Sequence, residues 1–302
     1  MKFLRALSLQ CPVVLTLALI LQVCSCERSH SDRIVIGSKN FTESLVLGEL
    51  IAQQIEAHTS LKVERRFYLA GTFICQQAIL SGRIDIYPEY TGTALTTILK
   101  QAASGDAQAV YQRVKTEYEH RFGLTLSPGF GFNDTFAIEI RGEDARRLAI
   151  STLSQAAPFA PHWRAGFGYE FMERPDGYRG LAATYGLRFA EPPRIMDLGL
   201  LARALRDHQI DLAAGNATDG LIPALDLFVL ADDRHYFPPY EAVSVIRQQT
   251  LREHPEMAQP LDQLRGTITD HEMQVLNYAV DGQHHDVQDV VRGFLRGKGL
   301  AR

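Results

Sequence analysis

The sequence predicts an α/β fold with mostly parallel sheets, and three observations lead to that prediction. Residues 33–37 (RIVIG) form a short apolar run, after which leucine and isoleucine recur at helical spacing. Residues 61–67 alternate as a strand does, and residues 72–80 have the pattern of a helix that Gly82 ends. Residues 84–86 return as a strand and complete a strand–helix–strand unit. Ligands of such sheets bind beyond the carboxyl ends of the strands.

The segment after the first strand predicts a place that favours an anion. Thr42 is the expected N-cap of the first helix, with Glu43 in its first turn. Backbone N–H groups and Lys39 would gather there, above the end of the strand. The stretch 85–95 (DIYPEYTGTAL) is expected to be a turn into a helix, and its two tyrosines and glutamate are more than a turn requires.

A second α/β series follows, and the chain ends in helices. Strands are expected near 138, 163–166, 187–190 and 210–213, a helix over 198–207, and two amphipathic helices beyond residue 240, whose apolar faces must pack on something.

The two halves contain a weak internal likeness. Residues 80–86 and 205–212 each end a helix with an apolar-Asp-apolar strand, and Tyr90 and Asn216 each lie five residues beyond the aspartate. Either the halves are pseudo-equivalent, so that these two residues face each other across a cleft, or the likeness of two short strand endings is coincidental.

Composition excludes some classes of function. The chain has 302 residues, 46% of them hydrophobic, which is enough for two domains with buried cores. A formal charge of −4, without a run of basic residues, gives no electrostatic reason to bind nucleic acid.

The first 25 residues have the pattern of a secretory signal peptide. Lys2 and Arg5 precede an apolar run over 12–21, which is about half the ~20 residues that a membrane span needs. Cys26 follows a small residue, as the lipidated cysteine of bacterial lipoproteins does. The open alternatives are a lipid anchor at Cys26 and simple cleavage into the periplasm.

No motif for catalysis, a metal or a cofactor stands out. Gly129-Phe130-Gly131 and Gly166-Phe167-Gly168 lack the third glycine of a dinucleotide loop, and neither His271 nor His284-His285 has partners at metal-ligand spacing. Cys75 lies in an apolar helical pattern, where it is expected to be a small buried hydrophobe.

Aromatic residues instead collect at predicted strand ends. They are Tyr87 and Tyr90, the segment 132–136 and the segment 237–240. Rings gathered in a cleft suit a quaternary ammonium, which is cationic but has no hydrogen to donate. The alternative is that these rings belong to the cores of the two halves.

Six motifs occur in order along the chain: GSKNFTE (37–43), YPEYTGTAL (87–95), NDTFA (133–137), ERPDG (173–177), ATDG (217–220) and FPPY (237–240). Together they resemble the substrate-binding proteins of osmoprotectant ABC importers, the glycine betaine, choline and carnitine binding family. The resemblance implies a type II periplasmic-binding-protein fold, a Venus flytrap of two α/β lobes joined by two crossover segments. It also implies a non-catalytic protein that delivers its solute to an ABC permease in the membrane.

The resemblance implies lobe limits and site residues as well. One lobe would combine residues 33–135 with 238–302, and the other would span 136–237. Closure of the lobes would bring the rings together around the solute. An aromatic cage would fall on Tyr90, Phe136, Asn216 and Tyr240, while Lys39, Arg174 and Thr93 would hold a betaine carboxylate, and Asp134 completes the expected set.

Some alternatives remain open at this point. Arg174 either binds the carboxylate or pairs with Asp176 or Glu173. Asn216 removes one ring of the cage, so the protein either binds a simple betaine weakly or accommodates a larger trimethylammonium compound such as carnitine or ergothioneine. An enzyme on the same scaffold and a sensory module are the rival functional classes.

Overall fold

The computed structural model describes residues 33–102 and 104–301. The predicted signal peptide and Cys26 lie outside the described residues. Within the described part of the chain, no helix combines the length and the apolar character that crossing a membrane requires.

Two five-stranded sheets of the same design organise the fold, and each forms one α/β lobe with the helices packed on it. The first sheet has the order β2-β1-β3-β10-β4 and the second β7-β6-β8-β5-β9. In each, three neighbouring strands are parallel and the remaining two pair antiparallel. The strands are β1 (Arg33–Gly37), β2 (Lys62–Arg66), β3 (Ile86–Tyr90), β4 (Leu124–Leu126), β5 (Phe136–Arg141), β6 (Ala165–Phe167), β7 (Arg194–Ile195), β8 (Leu212–Asn216), β9 (Leu227–Leu230) and β10 (Ala242–Arg247).

Helices cover the faces of both sheets. In chain order they are α1 (Thr42–His58), α2 (Thr72–Leu80), α3 (Thr91–Thr93, continued by a π turn over Ala94–Ile98), α4 (Ala107–Phe122), α5 (Gly142–Leu148), α6 (Leu153–Ala156, continued by a 3₁₀ turn over Ala157–His162), α7 (Tyr169–Glu173), α8 (Tyr178–Tyr185), α9 (Leu198–Arg206), α10 (Leu221–Ala224), α11 (Gln248–Glu253), α12 (Ala258–Gln263, after a 3₁₀ turn over Pro255–Met257), α13 (Asp270–Asp281) and α14 (Val287–Gly297).

The last two helices, α13 and α14, pack their apolar faces on the first lobe. Met273 of α13 and Val291 of α14 lie in one buried cluster with Leu47 and Ile51 of α1. Thr269 caps α13 through a capping box with Glu272. The chain therefore returns to the first lobe after it has completed the second sheet.

The expected turn at 87–90 is a strand, so the prediction of a strand over 84–86 is wrong in its limits. β3 begins at Ile86 and continues to Tyr90, because β10 pairs with it antiparallel from Ile246 to Ala242. The pairing also decides where the side chains point, since successive side chains of a strand point to opposite faces. Tyr87 is fully buried and its hydroxyl donates to Gln76 at 2.9 Å, so this ring belongs to the core.

The N-cap of α1 was also predicted wrongly. Phe41 occupies the N-cap position, without a side-chain cap, and Thr42 is the first helical residue. The Thr42 hydroxyl donates to Asp281 at 2.6 Å, at the end of α13. A partner 239 residues away therefore takes the hydroxyl that the local pattern assigned to the helix end.

The two segments that connect the sheets run side by side. The backbone N–H of Asp134 donates to the carbonyl of Tyr240 at 3.1 Å, and the N–H of Tyr240 donates to Asn133 Oδ1 at 2.6 Å. Asn133 and Glu241 form an antiparallel bridge. A paired double crossing of this kind is a suitable pivot for a hinge motion.

Candidate functional site

A cavity of about 350 Å³ lies at the ends of the strands of both sheets. Its volume falls within the range of small-molecule sites. It collects every site residue predicted from the sequence: Lys39, Tyr90, Thr93, Asp134, Phe136, Arg174, Asn216 and Tyr240. The structure thus brings together residues from both lobes and from both crossover segments.

The first lobe contributes a tyrosine ring with a cation beside it. Tyr90 ends β3, and its hydroxyl donates to Glu43 Oε1 at 2.6 Å. The ring stacks on Phe41 with a centroid separation of 6.4 Å, and Lys39 Nζ lies 5.0 Å from its centroid. The hydroxyl and both neighbours hold this ring in one orientation before any solute binds.

Lys39 is neutralised within the same lobe. Its ammonium forms a buried ion pair with Glu89, whose other contact is the backbone N–H of Tyr90 at 2.8 Å. The two side chains are 3% and 0% exposed, so water does not weaken the pair. Lys39 was predicted from the sequence but its counter-ion was not, although Glu89 lies in the YPEYTGTAL motif.

The second lobe and a crossover segment contribute a cluster of rings. Phe136 begins β5, directly opposite Asn216 in the sheet register. Its ring contacts Phe171 at 4.8 Å, Phe237 at 5.4 Å and Tyr240 at 5.6 Å between centroids. The contacts with Phe171 and Tyr240 are edge-to-face and the contact with Phe237 is tilted, so the four rings form one packed cluster.

Arg174 forms an ion pair with Asp176, as one of the sequence-based alternatives predicted. Its Nε and Nη2 donate to the two oxygens of Asp176 at 2.9 and 2.6 Å, a bidentate pair. The guanidinium lies 4.9 Å from the Phe136 centroid and 5.8 Å from that of Tyr240. Burial opposes ionisation of Asp176, but the hydrogen bonds and charge of Arg174 outweigh it and keep the pKa of this carboxyl below its ordinary value.

Asp176 also joins the two lobes. Its Oδ2 accepts the hydroxyl of Tyr240 at 2.6 Å and the hydroxyl of Thr96 at 2.7 Å. Asp176 belongs to the lobe of β6, whereas Thr96 follows β3. The carboxylate therefore binds Tyr240 and Thr96 of the first lobe at the same time.

A second group of carboxyls joins the lobes beside the cavity. The Thr218 hydroxyl lies within hydrogen-bond distance of Glu43 Oε2 and 2.9 Å from Asp134 Oδ1, and Asn277 Nδ2 donates to the same Glu43 oxygen at 3.0 Å. Thr218 has one hydrogen to donate and faces two carboxyl oxygens, so one of the two carboxyls must carry a proton. Burial raises the pKa of Glu43, and burial together with the charge of Glu43 raises the pKa of Asp134.

The sequence predicted the Arg174–Asp176 pair as an alternative, but not the contacts that Glu43, Glu89 and Asp176 make with residues of other segments. Each of the three lies inside one of the six motifs, and local spacing does not reveal partners that are distant in the chain. Cys75 is buried as expected, and burial raises the pKa of its thiol to about 12. Among the described residues, no group of three or more His, Cys, Asp or Glu side chains is placed to hold a metal ion.

Comparisons with known proteins identify the family of the chain. The family model of the substrate-binding domain of ABC-type glycine betaine transport systems matches residues 32–297. The carnitine transport binding protein OpuCC of Listeria monocytogenes is 35% identical over 94% of each chain. The ergothioneine transport permease/ergothioneine binding protein EgtU of Helicobacter pylori is 34% identical over 88% of this chain and 48% of its own.

A solved structure extends the agreement to the fold. The crystal structure of a glycine betaine/carnitine/choline ABC transporter superimposes with a TM-score of 0.74 and 32% identity, over 88% of this chain and 99% of the other. The predicted two-lobe α/β fold is thereby confirmed. The chain belongs to the family of substrate-binding domains of ABC-type glycine betaine transport systems.

Proposed function

We propose that this protein is the extracytoplasmic solute-binding component of an ABC importer and that it captures a quaternary-ammonium or betaine-type solute between its lobes. One observation carries the proposal: rings from both lobes line the same cavity, and the cations in that cavity are already paired with carboxylates. A cationic solute therefore meets ring faces without meeting unpaired positive charge.

The rings suit the solute because of what a quaternary ammonium lacks. Its methyl groups donate no hydrogen bond, so carboxylates and amides cannot form directional hydrogen bonds with it. Each ring face adds about 0.5–2 kcal/mol of attraction. Tyr90, Phe136 and Tyr240 provide three rings, and Asn216 supplies an amide in the fourth position.

The carboxylate of a betaine would be held by N–H groups of Lys39 and Arg174 that their ion pairs do not use. Lys39 Nζ has three hydrogens and one carboxylate partner, Glu89. Arg174 uses Nε and Nη2 on Asp176, and within the described residues its Nη1 donates to none. The Thr93 hydroxyl lines the cavity beside them. Choline, without a carboxylate, would use the rings alone.

We assign the lobes as residues 33–135 with 238–302 and residues 136–237, limits that agree with the strands in each sheet. Closure about the paired crossovers encloses the solute, and the closed form is delivered to the permease. A signal peptide over 1–25 would export the chain, and Cys26 is the candidate lipid-anchor residue. We expect no cofactor and no catalytic turnover.

The test compares choline with its neutral isostere, in which carbon replaces the quaternary nitrogen. Calorimetry and thermal shift on the mature protein are expected to detect choline and glycine betaine but not the isostere, because only the cations are attracted by ring faces. Phe136→Leu, which keeps bulk but loses the ring, is expected to weaken choline by about 2- to 30-fold. Phe136→Tyr, the matched control, is expected to retain the wild-type affinity for choline.

Equal binding of choline and the isostere would remove cation–π recognition from the site. Carnitine and ergothioneine belong in the same screen, since relatives named for both solutes cover most of this chain. A preferred solute without a methylated nitrogen would overturn the proposal, and conversion of choline into product would overturn its non-catalytic part.

A further inference from the structure

A second cavity, of about 210 Å³, adjoins the solute cavity. The two share Asn40, Phe41, Asp197, Leu198 and Asn216 in their linings. Asn216, the residue that replaces a ring in the cage, thus borders both. The second cavity extends from there toward α13 of the first lobe and β5 of the second.

Two residues that line the second cavity, Glu139 and Asn277, each have a buried side-chain oxygen without a donor among the described residues. Glu139 is 1% exposed, and its Oε1 accepts no hydrogen bond from any described residue. Asn277 is 4% exposed, and its Oδ1 is likewise without a donor within the described chain. The amide orientation of Asn277 is fixed, because its Nδ2 donates to Glu43 and to the Thr218 carbonyl at 3.0 and 2.9 Å. Unpaired buried acceptors of this kind are costly, which points to a donor that belongs there.

The backbone makes room for the Glu139 carboxyl. Gly215 lies on the neighbouring strand β8, and a Cβ atom at that position would come within 2.4 Å of Glu139 Oε1. Any other residue would displace the carboxyl from its present position. Gly215 also lines the cavity, so the carboxyl lies across a bare stretch of backbone at the cavity wall.

The charge of the cavity is one-sided. Asp219 and Asp281 line it together with Glu139, and no lysine, arginine or histidine occurs among its described lining residues. Arg203 lies near both aspartates but outside the lining, and its Nη2 donates to the backbone oxygen of Asp281 at 3.3 Å. Burial, and then the charge of Asp219, raises the pKa of Glu139 well above its ordinary value, as expected for a carboxyl without a cation beside it.

We propose that this second cavity binds an organic cation that has N–H donors, a primary or secondary ammonium group, with Glu139 and Asn277 as its acceptors. A quaternary ammonium would leave both acceptors unpaired, since it has no hydrogen to donate. A metal ion is disfavoured because the described carboxyls are not grouped to coordinate one. The ammonium is either the far end of a solute whose quaternary group occupies the cage, or a separate small amine; the first source rests on the proposed function.

The experiment uses two solutes of the same shape. Aminobutyl-trimethylammonium has a primary ammonium where pentyltrimethylammonium has a methyl group, so the pair tests the charge and the N–H donors of that ammonium together. Calorimetry on the wild-type protein is expected to give at least about tenfold tighter binding of the amine, which corresponds to one charged hydrogen bond. Glu139→Gln is expected to abolish this advantage and to leave pentyltrimethylammonium unchanged. Methylammonium alone, measured with both proteins, tests the separate source.

Two further variants keep the outcome interpretable. Asp226→Asn, an equal charge change at an exposed position of the same lobe, is expected to keep the full preference for the amine. If Glu139→Gln does not fold, Asp219→Asn is expected to reduce the preference instead. A methylammonium response that depends on Glu139 would support the cavity and identify a separate amine as its ligand.

Equal affinity for the two shaped solutes, with no Glu139-dependent response to methylammonium, would overturn the proposal. Failure of pentyltrimethylammonium to bind, with methylammonium still recognised through Glu139, would overturn the proposed function and leave this inference standing.

Discussion

The two lobes are built on the same sheet but present their rings from different strands. Tyr90 at the end of β3 lies opposite Ala242, whereas Asn216 at the equivalent end of β8 lies opposite Phe136. The second lobe has therefore not lost its ring; the ring stands on the neighbouring strand. The equivalent strand pairs, β3 with β10 and β8 with β5, thus each present one ring at this edge, Tyr90 and Phe136, and the equivalent strand order of the two sheets confirms the pseudo-equivalence suggested by the short strand likeness.

The buried ion pairs of the two lobes differ in the further hydrogen bonds that their carboxylates accept. Among the described residues, the Glu89 carboxylate pairs with Lys39 and accepts one further hydrogen bond, from the backbone N–H of Tyr90, so both partners lie in the first lobe. Asp176 pairs with Arg174 and also accepts hydroxyls from Tyr240 and Thr96. The Lys39–Glu89 pair of the first lobe thus needs no residue of the second lobe, whereas the network of Asp176 includes the Thr96 hydroxyl of the first lobe. We expect the solute to meet the first lobe first.

The largest expected effect comes from two separate variants, each of which neutralises the carboxylate of one buried ion pair. Asp176→Asn and Glu89→Gln each leave a buried cation without its anion, which costs about 3–5 kcal/mol of unfolding free energy. Only Asp176→Asn breaks contacts between the lobes, so only this variant is expected to populate an open form. Urea unfolding measures the first effect, and the radius of gyration from small-angle scattering measures the second.

Asp226→Asn is the control for both variants. It removes the same type of anion from an ion pair with Arg146, but that pair is exposed, with side chains 65% and 68% accessible, so little change is expected. An equal opening of the lobes by Glu89→Gln and Asp176→Asn would remove the distinction between the two ion pairs.

Several features that depend on local sequence pattern were predicted correctly. The limits of α2 match the expected 72–80, and the eight expected site residues line one cavity, because short motifs keep their place on strand ends. The limits of β3 were wrong because its pairing partner, β10, lies some 150 residues further along the chain, as the register of Tyr90 with Ala242 illustrates. The Lys39–Glu89 pair was missed for the same reason, since its partners are 50 residues apart.

The second prediction concerns pH and the carboxyl pair that lies between the lobes. Both Glu43 and Asp134 have a pKa raised above the ordinary values of 4.5 and 3.8, and their contact through Thr218 requires one proton. A raised pKa in the closed form stabilises that form fully below the ordinary carboxyl pKa. This stabilisation is lost as the pH rises through the raised pKa. The affinity for solute is expected to fall with rising pH, by up to about tenfold per pH unit for one proton.

Choline is the suitable probe for this measurement, because its own charge does not change with pH. Asp134→Asn places a permanent N–H where the shared proton lies, so the variant is expected to show a flat pH profile for choline by calorimetry. A profile that stays as steep as that of the wild type would exclude Asp134 as a partner in the shared proton. Ion pairs such as Arg174–Asp176 are expected to contribute no slope near neutral pH, since the pKa of Asp176 is lowered.

The smallest expected effect, and the most direct test of the comparison, is Asn216→Tyr. The new ring would stand beside Phe136, its cross-strand neighbour, and would give the second lobe a ring at the position equivalent to Tyr90. One additional ring face is expected to tighten glycine betaine by about 2- to 30-fold in calorimetry. Asn216→Ala, which removes the amide without adding a ring, is the matched control and is expected to give no gain. Equal or weaker binding by Asn216→Tyr would mean that Phe136 already occupies the space of that ring, and the two lobes would then be equivalent in topology but not in how they surround the solute.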